Sequence, residues 1–465
     1  MLPARYDSST RSAIRSFAAA QRSTSGKHHI TTSTARVPRS RQLHQALQIY
    51  DILCLVLENV TLIKRDGTRG ADRSSLARAA RVCKAFSEPA LDVLWRVMDD
   101  FIPLVKLVVL DDFQNVACWE RFHIYARRVR EICYSDIPAG FRIMMDPAIL
   151  VTLSHCNHGL PLLPSLQTLH WTGASPHQYD SFLTVATTLN CQVTELCVRF
   201  PTEERQAQVS KSYLDTFLER LFAQLPGLQS LQVHGPFDSS LLAPIANGDK
   251  LRILHVETGP RILCSATLHS LSQVANLSEL KIELQINPDS RFRVTEFPVL
   301  RKLTLVTTCR GIPRILGALS APKLASLVVT RLICDHGENL QDAISMICSK
   351  FGQSLRTIRL VISLISQTDG ACSLISIIRP LLGIRGLKTL FLQISVRIAL
   401  SNTELCAMAI AWPEIEELSI YGLRSAVNPS IDALAHLAGQ CPRLRSLILP
   451  YLTSHPISMP PQVAC

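Results

Sequence analysis

Leu300-Arg301-Lys302-Leu303-Thr304-Leu305 is the stretch on which the fold turns. Apolar residues at its first, fourth and sixth places end in a short alternating run, and a period of two sets Leu303 and Leu305 on one side of a strand. The same spacing, with an apolar variant allowed at each place, occurs at Leu166-Leu169-Trp171, Val193-Leu196-Val198, Leu228-Leu231-Val233, Leu251-Leu254-Val256 and Leu277-Leu280-Ile282. It continues at Leu324-Leu327-Val329, Leu355-Ile358-Leu360, Leu387-Leu390-Leu392, Ile415-Leu418-Ile420 and Leu444-Leu447-Leu449, and a weaker copy opens the series at Val129-Ile132-Tyr134. Successive full copies start 23 to 35 residues apart. A period of that size is the mark of a stacked array in which each unit buries its apolar face on its neighbours.

A turn precedes many copies, as in Leu163-Pro164-Ser165-Leu166, Phe297-Pro298-Val299-Leu300 and Cys441-Pro442-Arg443-Leu444. Helix-like stretches separate them, such as Tyr213 to Phe222, and Ile431 to Leu437 behind Ser430 as N-cap. The series resembles leucine-rich repeats. That resemblance implies an α/β horseshoe, with short parallel strands on the concave side and helices on the convex side. Such repeats carry Asn or Cys shortly after the last leucine. Here Ala174, Pro236, Gly259, Thr308, Leu332, Ser363 and Leu452 stand there, so an asparagine ladder is not expected.

Composition narrows the function. The net charge is +11, but Arg5, Arg11, Arg15, Arg22, Lys27, Arg36, Arg39 and Arg41 against Asp7 put +7 of it in residues 1–41. The rest of the chain carries no basic excess of the size a nucleic-acid partner needs. The fifteen cysteines are scattered without a CxxC pair, so they read as free, buried thiols of a reducing compartment. No apolar run reaches the length of a membrane span. The expectation is a cytoplasmic or nuclear protein, with a mitochondrial transit peptide as the second reading of the Ser- and Arg-rich tail.

Ahead of the repeats, Leu47, Ile49, Ile52, Leu53, Leu55, Val56 and Leu57 predict a helix ending near Val60, and Lys64 to Gly70 a polar loop. A second helical pattern runs from Leu76 to Phe86, with Pro89 breaking or restarting it before Ala90-Leu91-Asp92-Val93-Leu94-Trp95. Leu47-Gln48-Ile49-Tyr50-Asp51-Ile52-Leu53, Val82-Cys83-Lys84-Ala85-Phe86 and Leu94-Trp95 together resemble the F-box. Tyr50 stands where that family carries proline, and Asp51 keeps the acidic place at the helix start. The resemblance implies docking on the Skp adaptor, and through it on a cullin-RING ubiquitin ligase. Ile49, Tyr50, Asp51, Ile52, Leu55, Val82, Cys83, Phe86, Leu94 and Trp95 would supply the module's core and adaptor contact.

The expected organisation is a disordered basic tail over 1–41, an F-box-like helical domain over 42–100, a solenoid of eleven or twelve repeats over 101–453, and a frayed end over 454–465. Residues 101–128 read either as a linker helix or as a divergent first repeat. The repeat register sends His170, Arg199, His234, His255, Glu257, Lys281, Glu283, Lys302, Arg359, Phe391 and Tyr421 to the concave face. Mixed charge with interspersed aromatics suits a protein substrate. His155-Cys156-Asn157-His158 reads as a polar loop, and Asp335-His336-Gly337-Glu338 as a loop leading into a helix from Asn339. No catalytic residue, metal site or cofactor is expected.

Overall fold

The computed structural model describes residues 49–63, 69–109, 116–135, 147–172, 179–190, 192–200, 211–235, 244–257, 265–283, 292–334, 337–364, 372–423 and 427–450. The paired leucine-type side chains of the copies from Leu166 to Ile420 are buried, and the residues between them are more open. That is the pattern of a sheet covered on one face. Thirteen of the fourteen strands of one sheet lie side by side in chain order, the short Cys372–Ser373 pairing off this path. They are β1 (Val97–Met98), β2 (Glu131–Ser135), β3 (Thr168–Thr172), β4 (Glu195–Arg199), β5 (Ser230–His234), β6 (Ile253–Glu257) and β7 (Glu279–Glu283). They continue with β8 (Lys302–Thr308), β9 (Ser326–Cys334), β10 (Thr357–Leu364), β11 (Thr389–Ala399), β12 (Glu417–Leu423) and β13 (Ser446–Ile448). All twelve pairings are parallel. The class is therefore α/β with one large parallel sheet, compatible with a repeat solenoid.

A parallel neighbour obliges the chain to cross back between strands. The crossovers carry helices, among them Pro147–Cys156, Tyr179–Leu189, Lys211–Gln224, Gly337–Phe351, Asn402–Ala411 and Ile431–Gln440. One continuous apolar core joins helices and strands from Met98 to Cys441. At the start of each strand one carbonyl sets the spacing. The N–H groups of Gln167 and Thr168 both donate to the Arg130 carbonyl, at 2.8 and 3.0 Å. Those of Thr194 and Glu195 donate to Gln167, and the relay repeats through to Arg445 and Ser446 on Glu416.

In the N-terminal module, α1 (Tyr50–Glu58), α2 (Arg73–Ala79) and α3 (Lys84–Arg96) pack around Leu57, Leu76 and Ala90. A two-stranded hairpin pairs Thr61–Ile63 with Arg69–Ala71, so Arg69 and Gly70 of the expected polar loop are strand residues, while Lys64 to Thr68 lie outside the described residues. The break between the second and third helices falls at Arg81–Cys83, where Cys83 is extended, and not at Pro89, which lies inside α3. Proline there forgoes the bond to Ala85, yet Pro89 and Ala90 are both buried, and that packing holds the helix together.

Residues 101–128 hold α4 (Ile102–Val109) and α5 (Val116–Ala126) between the first two strands, so they form a crossover and not a linker. The helix expected from Asn339 begins at Gly337. His155 and Cys156 end a helix, and the left-handed His158 and Gly159 turn the chain out of it. Ser430 does precede a helix, but its hydroxyl accepts from the Asn402 amide at 3.1 Å instead of capping. Two cysteines depart from the expectation of free thiols. Cys309 and Cys334 are bonded, with Cα atoms 5.2 Å apart, because parallel register brings the ends of β8 and β9 together. No helix among the described residues is long and apolar enough to cross a membrane.

Thr308, Leu332 and Ser363 are strand residues and form no ladder, while Ala174, Pro236, Gly259 and Leu452 lie outside the described residues. Bonds between successive turns arise elsewhere. The buried Asn190 amide donates to the Leu166 carbonyl at 3.1 Å and to Pro164 at 3.3 Å, and its oxygen accepts from Gln192 N–H at 2.9 Å. Further along, the Trp412 indole donates to Leu381 at 3.1 Å. Replacing Asn190 by alanine strands these groups, and the expected loss is about 1–3 kcal/mol. Urea unfolding will show it as a lower midpoint at unchanged slope.

Candidate functional site

Two surfaces stand out. On the module, α1 turns Leu53 and Leu57 inward and leaves apolar side chains outside. Ile49 is 49% exposed, Leu55 61%, Val56 49%, and Val82, in the turn before α3, 68%. Ile49, Ile52 and Val56 recur at helical spacing and so share one side of α1. Of the residues assigned to adaptor contact, Ile49, Tyr50, Asp51, Leu55 and Val82 are exposed, and Ile52, Cys83 and Phe86 are half-buried. Leu94 packs into the module's core. Trp95 faces the repeats instead, packed on their core with its ring 4.7 Å from that of Tyr125. Val56 joins the exposed stripe without having been singled out, although its helical spacing from Ile49 and Ile52 marked it.

Behind that surface lies a polar junction. The Tyr50 phenol donates to the Asp92 carboxylate, and this bond, with partial burial, holds the phenol protonated well above its ordinary range. Arg128 donates to Asp92 and, at 2.6 Å, to Glu88, with its side chain only 4% exposed. Burial opposes the guanidinium's charge, and the two carboxylates outweigh it. A cleft of about 570 Å³ between Tyr50, Cys54, Asp92, Arg96, Arg128 and Arg130 marks the seam between module and repeats.

The second surface is the helix-free face of the sheet, to which the short strands send their first, third and fifth residues. His234 and Lys281 both pair with Glu257, the histidine at 2.8 Å. One strand on, Glu279 takes His255 at 3.0 Å and Lys302 at 2.8 Å. Burial opposes ionisation of both carboxylates, but their lysine and histidine hydrogen bonds prevail and hold them below the usual range. His170 meets Glu131 at 3.4 Å, with Cys133 beside them. Burial, followed by the charges of Glu131 and Asp99, pushes the Cys133 thiol up to about 12.

Towards the C-terminus the face becomes aromatic. The Arg359 guanidinium lies 3.9 Å over the Phe391 ring, and Phe391 stacks at 5.2 Å on Tyr421. Arg199 is exposed. Glu283 stands in register opposite Val306, and its side chain lies outside the described ones. The face thus brings most of the expected residues together in neighbouring strands. Glu131, Cys133 and Glu279 were missed; each lies one residue beside a buried Ile132 or Leu280, on the open side.

Two predictions follow from this geometry. Neutralising both partners of the buried guanidinium (Glu88→Gln with Asp92→Asn) should cost about 3–5 kcal/mol in urea unfolding, because Arg128 keeps its charge without compensation. The second concerns acid. Glu257 and Glu279 have folded pKa values below their unfolded ones, so their contribution is present above the ordinary carboxylate range and fades as pH falls through the folded values. Acid titration of a Glu257→Gln/Glu279→Gln variant should show a shallower loss of stability than the unmodified chain.

No family model matches the chain, and no curated protein matches it. Among solved structures, the complex of Rad7 and Elc1 from yeast is similar over 73% of this chain and 78% of that chain, at 16% identity and a TM-score of 0.34. Likeness at that level carries no inference about function.

Proposed function

We propose that the chain is the substrate-recognition subunit of an SCF-type ubiquitin ligase. In this reading residues 42–100 are an F-box that docks on the Skp adaptor, and the parallel array is a leucine-rich-repeat solenoid that holds a protein substrate. The observation that carries it is the apolar stripe Ile49, Ile52, Leu55 and Val56, left open on the module whose sequence resembles an F-box. Covering such side chains supplies about 1.5–3 kcal/mol each before the costs of ordering. The open face of the sheet, with paired charges at one end and an Arg359-Phe391-Tyr421 stack at the other, has the mixture that protein ligands use. No reaction is assigned to the chain itself. Its contribution to ubiquitin transfer is positional, holding a substrate where other subunits act on it.

A second reading has its own support. Leu91 and Trp95 of α3 pack on the repeat core, so the module also covers the first end of the array. If that is all it does, the chain is a repeat scaffold without an adaptor.

The test is calorimetric titration of the purified Skp adaptor into the full chain, beside Leu55→Asp and Val82→Asp variants whose melting curves match it. Each substitution should weaken binding by about tenfold or more, equivalent to about 1.4 kcal/mol. No binding by the folded, unmodified chain would leave the scaffold reading in place.

A further inference from the structure

The open face repeats one arrangement and breaks it once. Glu257 and Glu279 each hold a histidine and a lysine, so a cation closes each group. Glu131 holds His170, which lies on the strand that follows its own, and among the described residues no lysine or arginine pairs with it. Cys133, two residues along the same strand as Glu131, stands beside them instead. We propose that Glu131, Cys133 and His170 bind a divalent transition metal, and that zinc is the ion their donor set fits.

The backbone fixes the three residues. Glu131 and Cys133 are the first and third residues of β2 and so point to one face. His170 is the register partner of Cys133 on β3. Both strands are interior to the sheet, which makes the site rigid.

Its dimensions agree with a tetrahedral ion. The Glu131 Oε1 lies 3.4 Å from His170 Nε2 and 3.7 Å from Cys133 Sγ, and the three ligand atoms all fall within 4.8 Å of one another. Zinc bonds of about 2.3 Å to sulfur, about 2.05 Å to nitrogen and about 2.1 Å to oxygen give tetrahedral edges of about 3.4 Å for O···N and about 3.6 Å for O···S. Two of the three edges are therefore already in place, and side-chain rotation within the cluster closes the third.

Chemistry selects the ion. A thiolate and an imidazole beside one carboxylate favour zinc or its cobalt substitute over calcium and magnesium, which take oxygen ligands. Binding displaces the thiol proton to solvent and leaves the metal held by thiolate, imidazole and carboxylate. Three protein ligands leave a fourth position directed at the open face. Water fills it in the free protein, and a donor side chain of a docked partner can replace that water. The site stands on the fold alone and does not depend on the adaptor reading.

The test is titration of the full chain with Co²⁺ alone, its thiols kept reduced by a phosphine. One equivalent should produce thiolate-to-cobalt charge-transfer absorption and the d–d bands of a tetrahedral ion, both abolished by Zn²⁺. Cys133→Ser should lose the charge-transfer band. Glu131→Gln, which preserves shape, should weaken zinc by about tenfold or more, at least what losing a residue behind a ligand costs. Cys197→Ser, on the other neighbour of His170, should keep the band. The metal-free variants should melt with the unmodified chain, since all three side chains are only half-buried. Absence of the band at stoichiometric cobalt, or its survival in Cys133→Ser, overturns the proposal.

Discussion

At the start of each repeat strand, two amide hydrogens converge on one carbonyl of the preceding turn, and the stacking distance of the array follows from that. Arg130, Gln167, Thr194, Gln229 and their successors accept in turn, each also donating to the one before. Because each residue in this relay is both fixed and fixing, crossover length can vary while strand spacing cannot. The buried positions then fall into columns, with Ile132, Leu169, Leu196, Leu231 and Leu254 side by side. Each column is finished only when the next strand arrives, which makes the ends of the array its weak points. At the N-terminal end, α3 supplies Leu91 and Trp95 to the core and then runs into β1 without a break. The helical module is joined to the array as a cover, whatever else it binds.

The open face divides energetically. Glu257, Glu279 and their partners are about one-sixth to nearly one-half exposed, and such pairs contribute little net stability. Their consequence is orientation. Glu257 and Glu279 are each committed to two partners, so an incoming ligand meets fixed groups there and must displace an existing bond to use one. Arg359 differs, since it lies over the Phe391 ring and no carboxylate among the described residues reaches it. A ligand acid can engage that guanidinium while an apolar group lies on Phe391 and Tyr421, which makes this end the more receptive one.

Much of this was legible in one strand of sequence, because a period of two and a repeated hexamer dictate which side chains go inside. What crosses between strands was not. Glu279 precedes a buried leucine and looks like any solvated strand residue until register sets it against His255 and Lys302. Glu131, Cys133 and His170 share no short spacing, so a search for metal-ligand motifs passes over them. Cys309 and Cys334 were hidden for the same reason, being 25 residues apart and adjacent only through the pairing of β8 with β9. In the module the error was of another kind. Pro89 was read as breaking or restarting a helix from local propensity, and it lies buried inside one instead.

Tyr50 shows how such a departure is absorbed. The F-box resemblance read from the sequence has proline at this place, which would pre-set the backbone at the helix start. Tyrosine gives up that stiffness, and its phenol reaches across to Asp92 on α3. Asp92 is held in turn by Arg128, which belongs to the turn leading into β2. The start of α1 is therefore tied to the array through two side chains, where proline would fix only its own dihedral angle. For the receptor proposed above, rigidity between the two surfaces matters more than rigidity within either. The Tyr50-Asp92-Arg128 chain supplies it at the seam between module and array.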